Sequence, residues 1–171
     1  ENGRITVSGS LAGVSRVPFV RYNLTVSIFE NGKIDFALGA RVRDNVCWLP
    51  RFGFEFTLPK TSNEFCYFGY GPGESYCDLH NGSNISLYES STENEYVPYV
   101  RPQEHGNHYG AKRLDIGNMR FEAEKGFEFN VSDYSTEELG TKMHNFELQK
   151  DEFTNVRIDY KVSGIGSGSC G

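Results

Sequence analysis

Basic side chains are scarce in this chain of 171 residues, which has 17 Lys and Arg against 23 Asp and Glu and a formal net charge of −6. Nucleic-acid binding needs a surplus of cationic side chains, so the composition argues against a nucleic-acid partner. Long apolar runs are also missing, and we therefore expect no membrane partner. Helical periodicity is almost absent along the chain, which argues against an α-rich fold.

Paired metal-binding cysteines are missing as well. The four cysteines, Cys47, Cys66, Cys77 and Cys170, include no C-x-x-C pair and so predict no zinc site. The sequence shows no signal-peptide pattern, and a protein of this size does not need disulfides for its stability. We therefore expect free thiols and a cytoplasmic location.

The chain does contain clear alternation of apolar and polar residues with a period of two. Residues 22–28 and 34–42 both alternate, and Asn31-Gly32 between them favours a hairpin with a tight type I′ turn. Because a period of two puts each apolar set on one face, this hairpin should cover a core. The alternating apolar residues are Tyr22, Leu24, Val26 and Ile28, followed by Ile34, Phe36, Leu38, Ala40 and Val42.

Two more runs alternate in the same way, and a single helix is expected. Residues 52–58 and 156–162 predict strands, whereas residues 135–139 predict a short helix that begins with a capping box at Ser135. No internal repeat or linker divides the chain. We predict one all-β domain over residues 1–171, an antiparallel β-sandwich with at most one short helix.

The loop-like segment YFGYGPGESYCD, residues 67–78, offers the first candidate site. Glu74, Tyr76 and Asp78 fall on alternate positions, so in an extended segment all three would face one way. Two carboxylates and a ring on one face suit the hydroxyls of a sugar. In the alternative interpretation the carboxylates cap loop amides and Tyr76 packs beneath them.

The segment YVPYVRPQEHGNH, residues 96–108, offers the second candidate site. Glu104 with His105 or His108 would suit a general acid–base pair. The two histidines have i,i+3 spacing, which serves a metal only on a helix or a tight turn, and we predict no metal site here. The alternative, which we favour, is a rigid structural loop in which Arg101 pairs with Glu104.

These two segments and three others together resemble a known family. The others are LPRFG at 49–53, FEFNVSDYSTEEL at 127–139 and GIGSGSC at 164–170. Taken in the order in which they occur along the chain, the five blocks resemble the C-terminal β-sandwich domain of the large bacterial β-galactosidases of glycoside hydrolase family 2. The resemblance implies a supersandwich similar to galactose mutarotase. It also implies that the chain is a fragment, truncated at both ends, of a longer multidomain enzyme.

The resemblance implies a division of labour with a catalytic barrel. The parent enzyme would hydrolyse terminal β-galactosides such as lactose with retention, using two carboxylates about 5–5.5 Å apart. In the family both are glutamates on a separate (β/α)₈ barrel, so no catalytic residue is expected in this chain. The chain would pack on that barrel and help to close the active site of a homo-oligomeric enzyme. Mg and Na serve the family's active site, but no residue here matches their ligands.

The glycine-rich end of the chain is where the resemblance implies substrate contact. In the family this loop reaches the barrel and in many members carries a tryptophan that forms a platform for the sugar. Here Cys170 or Gly171 falls at that place, so the platform is missing. The implied contact residues, which would act only together with the barrel, are Ser167, Gly168, Ser169 and Cys170.

Two other functions stay open. One is a free-standing carbohydrate-binding module, which would need an exposed aromatic platform near Glu74 or Glu104. The other is a mutarotase-like aldose epimerase that uses Glu104 with His105 or His108. His105, however, stands where the resembled family usually has asparagine, so the resemblance does not make it catalytic. The sugar-contact candidates are Glu74, Tyr76, Asp78, Glu104, His105 and His108.

Overall fold

A computed structural model of the chain describes residues 3–14, 16–44 and 49–163. It divides the chain into two compact units, Glu1–Leu49 and Pro50–Gly171. In the described residues each unit is built on one antiparallel sheet, with three strands in the first unit and six in the second. The predicted all-β class with antiparallel strands is confirmed. Within the described residues no helix has the length and apolar character that crossing a membrane requires.

The first unit is a three-stranded sheet in the order β1-β2-β3. Its register places Leu24 of the central strand between Val7 and Leu38. The apolar residues of all three strands therefore share one face, as the period of two predicts. The strands are β1 (Gly3–Leu11), β2 (Val20–Ile28) and β3 (Ile34–Val42).

The apolar face of this sheet is partly open to solvent. Ile5, Ile34 and Phe36 keep 54%, 49% and 45% of their surface exposed. A single three-stranded sheet has no second layer of its own, so this unit by itself does not enclose the core that the hairpin pattern predicts.

The turn between β2 and β3 differs from the predicted type I′ turn. Phe29 N donates to Lys33 O at 2.9 Å and Gly32 N donates to Phe29 O at 3.1 Å, which closes a loop of three residues rather than two. Gly32 takes the left-handed conformation with φ of +82°. Three-residue hairpin loops of this kind combine a type I turn with a left-handed third residue. The predicted hairpin is confirmed, whereas the predicted type I′ turn is wrong.

The second unit is a six-stranded sheet in the order β4-β9-β8-β7-β5-β6. The two alternating runs predicted at residues 52–58 and 156–162 lie side by side in this sheet, since Phe54 pairs with Ile158 and Phe56 with Val156. The strands are β4 (Arg51–Pro59), β5 (Glu64–Gly71), β6 (Asn84–Ser91), β7 (Asn107–Ile116), β8 (Met119–Ser132) and β9 (Phe153–Val162).

One face of this sheet carries an aromatic core. Phe129 lies at its centre, with its ring 5.1 Å from Tyr67 and 5.9 Å from Phe65 in edge-on contacts. Such pairs add to the free energy gained from burying the rings. The buried members of the core are Leu58, Phe65, Tyr67, Ala111, Leu114, Ile116, Phe127, Phe129, Val131 and Val156.

A bulge in β9 interrupts the predicted alternation. Asp159 pairs with Gly53 and Lys161 with Phe52, which leaves Tyr160 as an extra residue that is 72% exposed. Because Gly53 has no side chain, Asp159 can lie close against its backbone. The bulge therefore turns Tyr160 outward and keeps Asp159 inside the protein.

The predicted helix is present as α1 (Thr136–Thr141), and Ser135 is its N-cap. The Ser135 hydroxyl accepts a hydrogen bond from Glu138 N at 3.1 Å. The reciprocal half of the capping box does not form, because the Glu138 carboxylate accepts from Gln149 N instead. The serine caps the helix, and the glutamate ties it to the segment that precedes β9.

We expect Gly32→Ala to lower the free energy of unfolding by about 1 kcal/mol, since a side chain is disfavoured in the left-handed region. The space around Gly32 is open, so strain alone causes the loss. Gly39→Ala on β3 is the matched control, because its surroundings are equally open and its φ lies outside the left-handed region. Urea unfolding of both variants measures the difference. Equal midpoints would contradict the assigned turn conformation.

Candidate functional site

Around β8, β9 and the start of β7, the other face of the six-stranded sheet is polar and buried, and it is bonded to the two segments 67–78 and 96–108. Its central residues alternate with the core residues, and each is at most 3% exposed. Buried polar groups must be hydrogen-bonded within the protein, so this layer dictates how the loops lie. We call it the polar layer, and its members are Asn107, Glu128, Asn130, Arg157 and Asp159.

Arg157 is the central cation of the polar layer. Its guanidinium donates to Asn130 Oδ1 at 2.6 Å, to Tyr134 O at 2.9 Å and to Glu55 Oε2 at 3.3 Å. Burial lowers the pKa of Arg157, because leaving water disfavours the charged form, while the Glu55 carboxylate opposes this shift. One side chain thus joins β4, β8, β9 and the segment before α1.

Two amides connect the polar layer to the loops. Asn130 Nδ2 donates to His105 O at 2.5 Å, whereas Asn107 Nδ2 donates to Ser75 O and to Glu128 Oε2, both at 2.9 Å. Burial also raises the pKa of Glu128, although the bond from Asn107 partly offsets this. Segment 67–78 is therefore anchored through Ser75, and segment 96–108 through His105.

Glu74 and Tyr76 stabilise the loops in the way the alternative interpretation describes. Glu74 accepts from Gly106 N at 2.9 Å and from the Tyr99 hydroxyl at 3.2 Å. Gly106 has φ of +73°, so the amide that Glu74 binds belongs to a tight bend. Tyr76 is buried and its hydroxyl donates to Glu104 at 2.9 Å. Burial and the nearby Glu104 and Glu74 carboxylates raise the pKa of the Tyr76 hydroxyl.

Asp78 does not share a face with Glu74 and Tyr76. Tyr76 and Leu79 exchange backbone hydrogen bonds of 2.9 and 3.0 Å, which makes a tight turn with Asp78 at its exposed tip. The expectation of one shared face required an extended segment, and the turn makes it wrong.

Glu104 pairs with Arg51 rather than with Arg101. Its Oε1 lies 2.9 Å from Arg51 Nη2, and its Oε2 accepts from Tyr76. Arg101 is exposed on the loop, whereas Arg51 reaches Glu104 from β4. Glu104 is thus paired with an arginine, as the favoured interpretation expects, but the arginine is Arg51.

The same arginine faces a second carboxylate. Arg51 Nε lies 2.9 Å from Asp159 Oδ2, at an angle that makes the contact electrostatic rather than a hydrogen bond. Burial raises the pKa of Asp159 to about 6, which Arg51 opposes and the Glu104 carboxylate reinforces. Burial thus moves the pKa of Asp159 toward neutral pH.

The two histidines are held apart from Glu104 by other partners. His108 is fully buried, with Nε2 3.0 Å from Glu95 Oε2 and its ring stacked 4.8 Å from Phe129. His105 is also buried, and its Nδ1 lies 2.8 Å from Gln103 O. In the described part of the chain Glu104 therefore bonds Arg51 and Tyr76 and neither histidine.

No group of three His, Cys, Asp or Glu side chains comes together as a metal site among the described residues. Cys66 and Cys77 are free thiols. The glycine-rich residues Ser167, Gly168, Ser169 and Cys170 lie outside the described residues.

Sequence reasoning missed a cluster of three half-buried rings, Tyr70, His80 and Tyr109, which we call the ring cluster. His80 stacks on Tyr109 with centroids 4.8 Å apart, and Tyr70 lies 5.1 Å from His80 and 5.6 Å from Tyr109. The His80 ring is fixed by Tyr76 O at 2.8 Å. The members come from β5, from the following loop and from β7, so no local spacing could reveal them.

We expect Arg157→Met to lower the free energy of unfolding by about 1–3 kcal/mol for each of the two neutral acceptors, Asn130 Oδ1 and Tyr134 O, that lose their donor. Arg120→Met is the matched control, since Arg120 is an exposed arginine that pairs with Asp115. Denaturant unfolding of both variants gives the comparison. A small loss for Arg157→Met, equal to that of the control, would show that the polar layer does not depend on this cation.

Asp159 predicts a pH-dependent stability. Its folded pKa of about 6 lies above its ordinary value of 3.8, so between these values the folded state binds more protons. The contribution of Asp159 to stability is therefore present at low pH and lost as the pH rises through about 6. Relative to Asp159→Asn, the wild-type chain should gain about 1 kcal/mol between pH 7 and pH 5.

Urea unfolding at both pH values measures this difference, with Asp78→Asn in the exposed turn as the control. The control should follow the wild-type dependence. If Asp159→Asn followed it equally well, Asp159 would not be the titrating group.

Comparison with known proteins places the chain in a family. The family model described as the β-galactosidase small chain matches residues 2–171. A β-galactosidase from Actinobacillus pleuropneumoniae is 40% identical over 166 residues, which is 97% of this chain and 16% of the relative. One from Streptococcus thermophilus is 31% identical over 169 residues, covering 95% of this chain and 16% of the relative. A β-galactosidase from Kluyveromyces lactis is 36% identical over 129 residues, which is 71% of this chain and 12% of the relative. The chain spans at most about a sixth of these relatives, and it belongs to the β-galactosidase small-chain family.

Proposed function

We propose that this chain is a non-catalytic domain of a retaining β-galactosidase of glycoside hydrolase family 2. In this proposal the parent enzyme is cytoplasmic and hydrolyses terminal β-D-galactosides such as lactose on a separate barrel. The chain packs on that barrel and forms part of the active-site wall. The observation that carries the proposal is the family match over nearly the whole chain, combined with its small share of each relative.

The candidate carboxylates support a structural role for the loops. Both oxygens of Glu104 accept hydrogen bonds, from Arg51 and Tyr76, and both oxygens of Glu74 accept from Tyr99 and Gly106. A substrate contact at either glutamate would compete with these bonds, which support the loops.

Rigid loops suit a wall that a neighbouring domain completes. Catalytic sites gain from groups whose positions are fixed before the substrate arrives. Segments 67–78 and 96–108 meet this requirement because the polar layer fixes both from beneath. The proposal leaves Mg and Na to the barrel of the parent enzyme, together with both catalytic glutamates.

The ring cluster favours a second candidate, a carbohydrate-binding module. Such a module needs an exposed aromatic platform near Glu74 or Glu104, and the three rings of the cluster are partly exposed. Tyr109 lies close to Glu74, because its amide donates to the hydroxyl of the adjacent Ser75 at 3.0 Å. Aromatic rings held in place by their neighbours are suited to contact the apolar face of a pyranose. Tyr76 offers no platform because it is buried.

Hydrolysis and sugar-binding measurements on the purified 171-residue chain distinguish the two candidate functions. With 2-nitrophenyl β-D-galactoside we expect no hydrolysis, and with millimolar galactose or lactose no saturation transfer by NMR. Hydrolysis by the chain alone, or galactose-selective transfer, would contradict the non-catalytic domain.

If transfer is seen, Tyr109→Ala shows whether the ring cluster binds the sugar. Tyr160→Ala is the control, because Tyr160 is an exposed ring on the β9 bulge, outside the cluster. Loss of transfer with Tyr109→Ala alone would favour the carbohydrate-binding module. Retained transfer in both variants would exclude the ring cluster as the platform.

A further inference from the structure

Two Asn-Gly pairs lie in exposed turns of the described chain. Asn31-Gly32 forms the turn between β2 and β3, and Asn81-Gly82 lies in the turn that leads into β6. In such a pair the backbone nitrogen of the glycine can attack the asparagine side chain, because glycine has no side chain to hinder the approach. The two sites share their dipeptide and their exposure, so they differ mainly in their hydrogen bonds.

In the turn at Asn31-Gly32 both reacting groups have partners. Gly32 N donates to Phe29 O at 3.1 Å, and Asn31 Oδ1 accepts from Lys33 N at 3.1 Å. The first bond opposes the loss of the Gly32 proton, and the second restrains rotation of the Asn31 side chain. Attack at this site therefore requires these bonds to open first.

In the turn at Asn81-Gly82 both reacting groups are free. Ser83 N donates to His80 O at 3.0 Å, so Asn81 and Gly82 are the central pair of a β-turn whose closing bond does not use the Gly82 amide. Among the described residues, neither that amide nor the Asn81 side chain has a hydrogen-bond partner. The space beside Gly82 is also open. Nothing in this part of the chain holds the two groups away from each other.

From this difference we infer that Asn81 is a site of spontaneous deamidation and that Asn31 is protected. The Gly82 nitrogen loses its proton to a base in the solvent and attacks Cγ of Asn81. The new carbon–nitrogen bond closes a cyclic imide, and the side-chain nitrogen takes up a proton and leaves as ammonia. Water then adds to either carbonyl of the imide and opens it to aspartate or isoaspartate. Water is the only co-reactant that the conversion consumes.

The product would change the surroundings of the ring cluster. The new carboxylate belongs to the residue next to His80, whose ring stacks on Tyr109. A negative charge close to an imidazole favours its protonated form. Where the product is isoaspartate, the main chain also gains a methylene group in the turn that connects His80 to β6. Deamidation would therefore alter both the charge and the backbone at one side of the ring cluster.

Peptide mapping of the 171-residue chain during incubation at mildly alkaline pH tests this inference. The two asparagines fall in separate tryptic peptides, and mass spectrometry detects the exchange of an amide for a carboxyl group. We expect Asn81 to convert about tenfold or more faster than Asn31, because only Asn31 must first break hydrogen bonds. In guanidinium chloride the two rates should converge, since the unfolded chain lacks both turns.

Ammonia release provides a second measurement. Asn81→Gln should abolish the fastest phase of release, because the longer side chain would have to close a larger and less favourable ring. Asn31→Gln is the matched control in another exposed turn, and it should release ammonia like the wild type.

Equal conversion of Asn81 and Asn31 in the native chain would overturn the inference, as would a difference that persists unchanged in guanidinium chloride. Fast release that survives in Asn81→Gln would also overturn it. None of these results bears on the proposed role in a β-galactosidase, which rests on the family match.

Discussion

The structure of the second unit depends on keeping the buried guanidinium of Arg157 hydrogen-bonded. A cation removed from water is tolerated only when fixed acceptors replace its hydration. Arg157 obtains them from Asn130, Glu55 and the Tyr134 carbonyl, which belong to three different parts of the chain. Asn130 must then use its remaining amide hydrogens elsewhere, and it donates to His105 O. Satisfying one buried charge thus fixes the position of a loop that lies well outside the sheet.

The same requirement explains why the two loop segments look like an active site in the sequence. A loop laid on a buried polar surface has many backbone amides to satisfy, and carboxylates, amides and tyrosine hydroxyls are suited to do so. Glu74 accepts a hydrogen bond from the Gly106 amide, and Glu104 accepts hydrogen bonds from Arg51 and Tyr76. The residues that carry the family resemblance are therefore largely residues that hold the loops. A motif that identifies the family can thus consist largely of residues that hold loops in place.

Sequence reasoning succeeded where the physics is local. Strands β2, β3, β4 and β9 follow from the period-two pattern, and the helix start follows from Ser135, because neighbouring residues decide both. It failed where distant residues decide. The partner of Glu104 is Arg51, 53 positions away, rather than nearby Arg101. The ring cluster likewise forms only when β5 and β7 become neighbours. Even the hairpin turn depended on whether the strands closed around two residues or three, which the Asn-Gly pair alone does not decide.

The arrangement around Glu104 argues for a supporting role rather than for chemistry. Arg51 and Tyr76 both donate to this carboxylate, so both of its oxygens act as acceptors. A catalytic acid or base must also contact its substrate, and such a contact at Glu104 would compete with the bonds from Arg51 and Tyr76. What the pairing does supply is a rigid link between β4 and both loops. A domain with such links can present a fixed surface to a neighbouring domain.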